Sequence, residues 1–359
     1  PAQAGYIQAA GPLGLPPIDG TDLPMNPVET LLTESDNLTS LQSYLLSEED
    51  KHPDATGRFT WILSAISLST KFISDKVRRA RLQDVLGSLG SQNVHDESQQ
   101  KLDVIADEAL IRCLRSRNSV AIVASEENEE PIIVENYNQG DQRPYVVLFD
   151  PLDGSSNLDT CCGIGTIFSV LEHDRRSNNP KESVLQPGYR QVAAGYVIYG
   201  SSTVLVMTTG SGVQMFVLDP SIGAYMLVNE NVQIPTAHKS YSVNEAYIES
   251  FPKSYQNYLH YAHKNGYSSR YVGSMVADVH RILVKGGVFL YPPTEKAPEG
   301  KLRLLYEANP MAMIIEQAGG KAYTGTQRTL ELQPTEVHQR VSVLLGSSDE
   351  VDKVLSFLE

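Results

Sequence analysis

Cysteine is scarce in this chain, which has only Cys113, Cys161 and Cys162 among 359 residues. Cys161 and Cys162 are neighbours, and adjacent cysteines rarely form a disulfide because the bond geometry does not suit them. A secreted scaffold built on disulfides is therefore excluded, and a reducing compartment is favoured. The sequence also has no C-x-x-C motif, which excludes a cysteine-rich zinc site.

Basic residues and long apolar runs are also few. Lysine and arginine total 29 against 43 aspartate and glutamate residues, which gives a net charge of −14. This balance argues against a nonspecific nucleic-acid or anionic-membrane binder, because such proteins need a basic surface. No apolar run reaches the ~18 residues needed to span a bilayer. Since 41% of the residues are hydrophobic and 20% are charged, the composition predicts a soluble globular protein.

Several common functional motifs are missing as well. The chain has no Walker A loop, no G-x-G-x-x-G after a strand and no G-x-S-x-G nucleophile elbow. Asp150 and Asp153 differ in spacing from the alternating acids of an EF-hand. His260 and His263 lie one turn apart on a predicted helix, but without a third candidate ligand a solvent-facing pair is favoured over a metal site.

The chain is predicted to have an irregular arm followed by two mixed α/β halves. Residues 1–35 are rich in proline and glycine, which disfavour helices and interior strands. Apolar residues at helical spacing predict helices at 59–82 and 101–115, and the polar stretch 87–100 between them is predicted to be a mobile loop. Strand-like runs follow at 120–124, 145–149, 166–171, 192–199, 203–207 and 213–218.

The pattern restarts after about residue 230. Further helices are predicted at 254–264, 275–284, 304–318 and 349–358, and further strands at 288–291 and 341–345. Strands mixed with helices in both halves indicate an α/β fold, with a boundary between the halves near residues 225–235.

The segment 149–157, which reads FDPLDGSSN, combines two acids with a loop suited to phosphate. A predicted strand ends directly in Asp150 and Asp153, and Pro151 restricts the backbone between them, so both carboxylates can point out of the end of the strand. The Gly-Ser-Ser-Asn that follows offers N–H and hydroxyl groups that can receive a phosphate. The alternative is an ordinary turn with a helix cap.

A second predicted strand ends in a similar way. The run 120–124 is followed by a serine and then by Glu126 and Glu127. Taken alone, these acids are better interpreted as a solvated charge run, because two more glutamates follow within three residues. Asp103, a single acid near a predicted helix start, is more ordinary still.

Such acids need positive charge if they share a pocket with a phosphate ester. Two like charges about 4 Å apart repel by about 4 kcal/mol at an effective dielectric near 20. Hard divalent cations remove this repulsion, and ligation by oxygen alone selects magnesium or manganese over zinc. These ions lower the pKa of a bound water and stabilise charge on a transferring phosphoryl group. The residues therefore suggest metal-assisted hydrolysis of a phosphate ester.

With these segments together, the chain resembles class I fructose-1,6-bisphosphatases, which share a superfamily with the lithium-sensitive inositol phosphatases. The resemblance runs from about Leu38 to the C-terminus, and it is carried by residues 125–127, 149–157, 241–247 (YSVNEAY), 270–281 and 301–320 (KLRLLYEANPMAMIIEQAGG). It implies a layered αβαβα sugar-phosphatase fold. It also implies an N-terminal α/β domain at 36–229, equivalent to the AMP domain of the family, and a C-terminal sugar-phosphate domain at 230–359.

The resemblance assigns roles to the acids. It implies that the metal ligands are Glu97, Glu126, Asp150, Asp153, Glu307 and the Leu152 carbonyl, with Mg²⁺, or Mn²⁺ in its place, as the cofactor. Asp103 and Glu127 match the carboxylates that orient and deprotonate the attacking water. The implied mechanism is direct in-line attack of a metal-activated water on the 1-phosphate, without a phosphoenzyme intermediate.

The same resemblance assigns the substrate contacts. Gly154, Ser155 and Ser156 would hold the 1-phosphate of a sugar bisphosphate. The residues that match the distal 6-phosphate site are Asn244, Tyr247, Tyr271, Tyr291 and Lys301. Without the resemblance, plain packing would be the preferred interpretation of the tyrosines at 271 and 291. Arg270 matches an arginine that reaches a neighbouring subunit's site, which implies a homo-oligomer, as a tetramer or a dimer of dimers.

The match to the AMP inhibitor site of the family is broken. The residues that persist are Thr56, Gly57, Thr60 and Tyr145. Arg58 stands where an acid is usual, Pro144 where a lysine is usual and Glu172 where an arginine is usual. Each charge-assisted contact is worth roughly 1.5–3 kcal/mol, so AMP is expected to inhibit weakly or not at all.

The stretch 128–147 contains neither a cysteine nor the insertion that light-regulated plastid relatives have there. Activation by a thioredoxin-type protein is therefore expected to be missing, and the chain resembles the redox-insensitive plastid type. The chain begins at Pro1 instead of methionine, which indicates processing and is compatible with removal of a transit peptide. We therefore expect the chloroplast stroma, with the cytoplasm as the alternative, and roles in gluconeogenesis, the Calvin cycle and sucrose synthesis.

The leading prediction is thus a magnesium-dependent fructose-1,6-bisphosphatase, and two other functions stay open. One is a sedoheptulose-1,7-bisphosphatase, although the segments 241–247 and 270–280 look like the hexose-specific branch. The other is a non-catalytic sugar-phosphate sensor with the same fold. A retired enzyme should have lost at least one metal-binding or water-activating acid, yet every matched acid is present.

Overall fold

The helices of this computed structural model lie in both halves of the chain, and it describes residues 39–50, 57–83, 86–92, 98–134, 145–174 and 179–358. The α-helices are α1 (Leu41–Asp50), α2 (Arg58–Arg78), α3 (Lys101–Arg115), α4 (Pro180–Val184), α5 (Lys253–Lys264), α6 (Met275–Lys285), α7 (Asn309–Gln317) and α8 (Ser348–Leu358). No helix among the described residues is both long and apolar enough to cross a membrane. The predicted arm at 1–35 lies outside those residues.

An eight-stranded sheet is the centre of the first half. Its strands, in spatial order, are β10 (Ala224–Asn229), β9 (Gln214–Asp219), β8 (Thr203–Thr208), β7 (Gln191–Tyr199), β6 (Ile164–Glu172), β5 (Tyr145–Asp153), β3 (Val120–Ser125) and β4 (Ile132–Ile133). Neighbouring strands are antiparallel except β3 and β5, which run parallel with Ser125 opposite Phe149. The carboxyl ends of β3 and β5 therefore lie side by side.

Both faces of this sheet are covered by helices. On one face, α2 and α3 contribute Ile66 and Leu110 to a core cluster that includes Phe168 of β6. On the other face, α6 and α7 form a second cluster, in which Val279 and Ile167 are buried. Neighbouring residues 167 and 168 of β6 thus point to opposite faces, as the two-residue period of a strand requires.

A six-stranded sheet lies on the far side of α6 and α7. Its strands, in spatial order, are β12 (Ser268–Ser269), β11 (Ser240–Ser242), β13 (Val288–Tyr291), β18 (Val343–Gly346), β15 (Lys321–Thr324) and β16 (Gln327–Arg328). One face contributes Phe289 and Leu345 to the core with α6 and α7. The other packs Leu290 and Leu344 against α5 and α8. The layer order is α, β, α, β, α, which confirms the predicted fold.

The stretch 87–100, predicted to be a loop, differs from that prediction. It contains an antiparallel pair of strands, β1 (Ser88–Gln92) and β2 (Ser98–Gln100). The stretch is polar and has no alternation of apolar residues, so its sequence carries no strand signal. The strand pair leads directly into α3.

The predicted helix 304–318 also has an irregular start. Its first turn, Leu304–Ala308, is π-helical, and α7 follows it at once. Just before the turn, β14 (Leu302–Arg303) pairs with β17 (Arg340–Val341) in an antiparallel ladder. Single π-helical turns are frequent at functional sites, and this one carries an acid of the site described below.

Candidate active site

The parallel ends of β3 and β5 bring the first acids together. The main-chain N–H of Glu126 donates to the Phe149 carbonyl at 3.2 Å, which extends the β3–β5 pairing by one residue. Asp150 follows Phe149 directly. Glu126 and Asp150 therefore occupy adjacent positions at the ends of neighbouring strands. This agrees with the family resemblance and not with the solvated charge run that was preferred for Glu126 taken alone.

A buried acid cluster lies at this end of the sheet. Asp150, Asp153 and Glu307 place carboxylate oxygens within 4.8 Å of one another, and these residues are 3%, 8% and 5% exposed. Because Glu307 comes from the π-helical turn, the cluster joins the two halves of the chain. Among the described residues, no other group of three or more His, Cys, Asp and Glu side chains is close enough to hold one ion.

Each acid of the cluster is oriented by hydrogen bonds. Asp150 accepts the N–H of Leu152 at 2.9 Å, which closes the turn between the two aspartates. The Arg303 N–H donates to Glu307. At the start of α6, Asp153 accepts from Ser274 Oγ at 2.6 Å, from Val276 N at 2.9 Å and from Met275 N at 3.2 Å. The positive end of a helix favours a carboxylate at this position.

The charges of the cluster repel one another. Burial raises the pKa of Asp150 well above its usual range, and the charges of Glu126, Asp153 and Glu307 raise it further. Burial also raises the pKa of Asp153, although its hydrogen bonds act in the opposite direction. The guanidinium of Arg303 lies 3.5 Å from Glu126, but one arginine does not balance these acids. A set of buried oxygen donors with excess negative charge fits a hard divalent cation.

Two acids lie on one face of α3, and the second of them contacts the turn after β3. Asp103, in the first turn of the helix and 6% exposed, accepts the Gln100 N–H at 3.0 Å. Asp107, one turn later, accepts from the Ser125 hydroxyl and from the Asn128 side-chain amide, the latter at 3.1 Å. Burial raises the pKa of the Asp107 carboxyl. The sequence analysis missed Asp107, although its spacing of four residues from Asp103 places both acids on one helix face.

Glu127 lies on the turn after β3, where the structure holds it half-buried. Its N–H donates to the Ser125 hydroxyl at 3.2 Å, and that hydroxyl in turn donates to Asp107. The predicted water-activating residue is therefore placed by the same side chain that holds the turn. Glu97, the remaining predicted metal ligand, lies outside the described residues, as do Thr56 and Pro144.

The predicted phosphate loop follows Asp153 without a break. Gly154 has a φ of 75°, and a β-carbon on it would lie 2.5 Å from the Ser274 β-carbon, so glycine is required here. Ser155 and Ser156 begin a 3-10 helix, Ser155–Thr160, whose first residues are accessible. This loop lies directly beside the acid cluster, as a phosphate bound to both would need.

The predicted distal phosphate residues largely meet in one cavity of about 180 Å³. Asn244, Tyr247, Tyr291 and Lys301 line it, and the Lys301 ammonium lies 5.9 Å from the centre of the Tyr247 ring. Tyr271 does not line the cavity. Burial raises the pKa of its hydroxyl, and the Asn244 side chain, which does line the cavity, acts in the opposite direction. Arg270, which was predicted to reach a neighbouring subunit's site, has an exposed side chain that donates to the Ser269 carbonyl at 2.8 Å.

The start of α2 carries the residues matched to an AMP site. Gly57 has a φ of 69°, and the Thr60 hydroxyl donates to Glu49 at 3.0 Å. A β-carbon on Gly57 would lie 3.0 Å from the same carboxylate. An acid from α1 therefore occupies the helix start, which the sequence analysis did not anticipate. The remaining matched residues are Arg58, which is half-buried, Tyr145, which packs against Phe59, and Glu172, which is exposed.

The two histidines on α5 have different surroundings. His263 Nε2 lies 2.9 Å from both the Tyr241 hydroxyl and a Glu245 oxygen. His260 is exposed. His263 is exposed as well, although its ring contacts these two side chains.

Two family models match this chain. The N-terminal domain model of fructose-1-6-bisphosphatase matches residues 39–230, and the C-terminal domain model of the same family matches residues 234–359. Together the two models cover most of the chain.

Curated relatives and solved structures agree with these models. A class 1 fructose-1,6-bisphosphatase from Chloroherpeton thalassium is 46% identical over 325 residues, which is 88% of this chain and 92% of the relative. One from Sulfurihydrogenibium sp. is 48% identical over 320 residues, which is 89% of this chain and 97% of the relative. The holo crystal structure of Leishmania major fructose-1,6-bisphosphatase matches with a TM-score of 0.85 and 42% identity, over 89% of this chain and 99% of that one. The apo form gives a TM-score of 0.80 and 41% identity, over 89% and 98%.

The predicted chloroplast location is wrong, because both curated relatives come from bacteria. These relatives do not support the plastid subtype or the roles in the Calvin cycle and sucrose synthesis. The cytoplasm was the alternative prediction. The predicted enzyme class, in contrast, is confirmed by the family models, the relatives and the structures. The chain belongs to the class 1 fructose-1,6-bisphosphatase family.

Proposed function

We propose that this chain hydrolyses the 1-phosphate of fructose 1,6-bisphosphate to fructose 6-phosphate and phosphate, with Mg²⁺, which Mn²⁺ can replace. The observation that carries the proposal is the buried cluster of Asp150, Asp153 and Glu307, with oxygens within 4.8 Å of one another. A phosphate-type loop lies on one side of it, and a cavity lined by Tyr247 and Lys301 offers a second anion site. A sugar with two phosphates fits this pair of sites.

The metal would be held by Glu126, Asp150, Asp153, Glu307 and the Leu152 carbonyl, with Glu97 added from the family resemblance. When bound there, a dication lowers the pKa of the attacking water and balances charge on the phosphoryl oxygens. The oxygen donors support this assignment, and so does the raised pKa of Asp150, which is caused by burial and increased by the neighbouring carboxylates.

The remaining steps belong to side chains of this chain. Asp103 and Glu127 orient the attacking water, and Glu127 accepts its proton as the water approaches the phosphorus in line with the leaving oxygen. Gly154, Ser155 and Ser156 bind the 1-phosphate through N–H and hydroxyl groups at the start of their 3-10 helix. The distal cavity holds the 6-phosphate and so orients the sugar.

Phosphate release from fructose 1,6-bisphosphate, with and without a chelator, tests this proposal. We expect release that stops when the chelator is added. Glu127→Gln removes the proton acceptor and should lower kcat at least about a hundredfold. Glu130→Gln is the matched control, because Glu130 is an exposed acid that pairs with Lys181 on the surface. Release that persists in Glu127→Gln would contradict the assigned role.

The same assay separates the two alternative functions. A sedoheptulose-1,7-bisphosphatase would show the higher kcat/KM with sedoheptulose 1,7-bisphosphate. A sensor would bind the sugar bisphosphate in a calorimeter but release no phosphate, and its Glu127→Gln variant would bind equally well.

We also propose that AMP inhibits this enzyme weakly or not at all. The Glu49 carboxylate at the start of α2, bonded to Thr60, supports the proposal because it repels a phosphate there. Micromolar AMP should leave phosphate release unchanged in the wild type. Glu49→Gln removes the repulsion and should increase inhibition at higher AMP concentrations. Inhibition of the wild type by micromolar AMP would overturn the proposal.

Redox control by a thioredoxin-type protein is proposed to be absent. No cysteine lies between Glu127 and Asp150, and the three cysteines of the chain are not disulfide-bonded. Equal phosphate release by the fully reduced and fully oxidised enzyme at saturating Mg²⁺ would support this.

A homo-oligomer, a tetramer or a dimer of dimers, is proposed for the quaternary structure. Trp61, Leu68 and Phe72 of α2 are 60%, 54% and 45% exposed, and their spacing places them near one another along the helix surface. A second copy would bury this apolar surface. Arg270, which is exposed, is then free to approach a neighbouring site. Light scattering during gel filtration measures the mass directly.

A further inference from the structure

The turn after β3, residues 125–129, carries two of the proposed active-site acids and is held from both halves of the chain. From the first half, Asp107 on α3 accepts hydrogen bonds from the side chains of Ser125 and Asn128. From the second half, the side chain of His338 contacts the main chain of the same turn. The second contact is the less expected one, because His338 is 210 residues away from Asn128 in the sequence.

His338 bridges the turn to a buried tyrosine. Its Nε2 lies 3.1 Å from the Asn128 carbonyl oxygen and 3.3 Å from the Glu129 carbonyl oxygen. Carbonyl oxygens only accept hydrogen bonds, so Nε2 carries the hydrogen and donates to both. In the neutral ring Nδ1 is then an acceptor, and the Tyr306 hydroxyl, 2.8 Å away, donates to it. Both ring nitrogens therefore have partners.

The surrounding fold fixes both ends of this bridge. Tyr306 is fully buried in the π-helical turn, directly before Glu307. His338 lies two residues before β17, whose pairing with β14 continues when the Leu304 N–H donates to the Gln339 carbonyl at 2.8 Å. The two rings also pack edge to face, with their centroids 5.8 Å apart. The bridge is thus built on paired backbone and a packed aromatic ring.

We infer that His338 is a positioning residue, which ties the main chain after Glu127 to the turn that carries Glu307. The inference rests on the proposed function of these acids. Because the acids of the two halves repel one another, the distance between them must be held by a contact that does not depend on their own charges. The His338 bridge is such a contact, and it therefore fixes the site for the metal. Its loss should weaken metal binding and lower kcat, while KM for the sugar bisphosphate at saturating metal stays nearly constant.

Mn²⁺ binding, followed by electron paramagnetic resonance in the absence of substrate, tests the inference without turnover. His338→Ala removes the bridge and should weaken Mn²⁺ binding by about tenfold to a hundredfold. Tyr306→Phe keeps the packed ring but removes the hydroxyl, so it should give a smaller loss. His260→Ala is the matched control, since His260 is exposed on α5, and it should bind Mn²⁺ as the wild type does.

Two further variants of His338 distinguish a positioning role of its hydrogen bonds from a role of its side-chain volume alone. The side-chain amide nitrogen of His338→Gln is as many bonds from Cα as Nε2 is, so it can donate to the same carbonyls and should restore most of the Mn²⁺ affinity. In His338→Asn the side chain is shorter, and its amide nitrogen corresponds to Nδ1 instead of Nε2. This variant should therefore not restore the Mn²⁺ affinity. Wild-type affinity in His338→Ala, or equal losses in the glutamine and asparagine variants, would overturn the inference. If the alanine variant does not fold, the glutamine–asparagine comparison decides.

Failure of the proposed function is recognised separately. A wild-type chain that releases no phosphate, or a fully active Glu127→Gln, would overturn the function. The Mn²⁺ affinities of the His338 variants would still decide whether the bridge positions the acids.

Discussion

Asp150 is the residue at which function and stability oppose each other most directly. Burial and three neighbouring carboxylates raise its pKa, so its charge destabilises the fold when no metal is bound. Asp150→Asn keeps the shape and removes the charge. We expect this variant to lose activity and metal binding, and its metal-free form to gain about 1 kcal/mol or more in the free energy of unfolding.

Urea denaturation with a chelator present measures this gain. Asp219→Asn is the control, because Asp219 is a partly exposed acid whose pKa is lowered by hydrogen bonds from Ser221. This control should bring no gain in stability. A metal-free Asp150→Asn that unfolds at lower urea than the wild type would show that the hydrogen bond to Leu152 outweighs the repulsion.

Among the secondary-structure elements, the contact between the end of β5 and the start of α6 depends on one glycine. Gly154 has a positive φ, and an added β-carbon would lie 2.5 Å from Ser274, whose hydroxyl donates to Asp153 and accepts from Ala277 at the start of α6. Gly154→Ala should therefore cost backbone strain and also disturb the helix start. Its methyl group would push Ser274 away from the metal-site aspartate.

Gly223→Ala isolates the backbone part of that cost. Gly223 has a φ of 65°, close to that of Gly154, and nothing lies within 4 Å of an added β-carbon. We expect Gly154→Ala to lose roughly 1–3 kcal/mol more in the free energy of unfolding than Gly223→Ala, since overpacking adds to strain. Urea midpoints of the two variants measure this difference. Equal losses would mean that Ser274 moves aside without cost.

Local patterns in the sequence account for the elements that carry the acids. Apolar runs followed by Glu126 or by Asp150 and Asp153 predicted strands ending in carboxylates, and the structure places those strand ends side by side. The strands at 88–92 and 98–100 had no such pattern, because their residues are polar and do not alternate with apolar ones.

Contacts between distant residues could not be predicted from one sequence. The carboxylates of Asp107 and Glu49 and the imidazole of His338 each have partners on other elements, chosen by how the layers pack. Nothing in the residues around Glu49 or His338 marks these side chains as different from ordinary polar ones, whereas the four-residue spacing of Asp103 and Asp107 was a signal that could have been used. The family resemblance did not help either, since it assigned roles only to the matched site positions.

For the whole molecule, the layer order explains why the site needs both halves. Asp150 extends from the first sheet, Asp153 is held by the start of α6 in the middle layer, and Glu307 comes from the turn before α7. An ion bound among them contacts elements from several layers at once. Metal binding should therefore stabilise the packed state as a whole, because the unfolded chain has no such site.

His280 on α6 links the middle helix layer to the first sheet. We expect it to make the packing of these two layers sensitive to pH. Its Nδ1 lies 2.9 Å from the hydroxyl of the buried Tyr196 on β7. Burial lowers the pKa of His280 below the usual 6.5. As the pH falls through 6.5, the unfolded chain takes up the proton before the folded state does, so the free energy of unfolding decreases. Raised pKa values at Asp150 and Asp153 act with the opposite sign, because the folded state then binds protons more readily.

The difference between a histidine variant and the wild type does not contain the opposing contribution of Asp150 and Asp153, because both proteins share it. His280→Gln cannot bind the proton, so between about pH 7.5 and 5.5 its free energy of unfolding should fall less than that of the wild type, by at most about 1.4 kcal/mol. His260→Gln, which changes an exposed histidine on α5, should follow the wild type. Urea denaturation at the two pH values, with a chelator present, measures both differences. The same pH dependence in His280→Gln as in the wild type would show that the contact with Tyr196 does not couple the layers to pH.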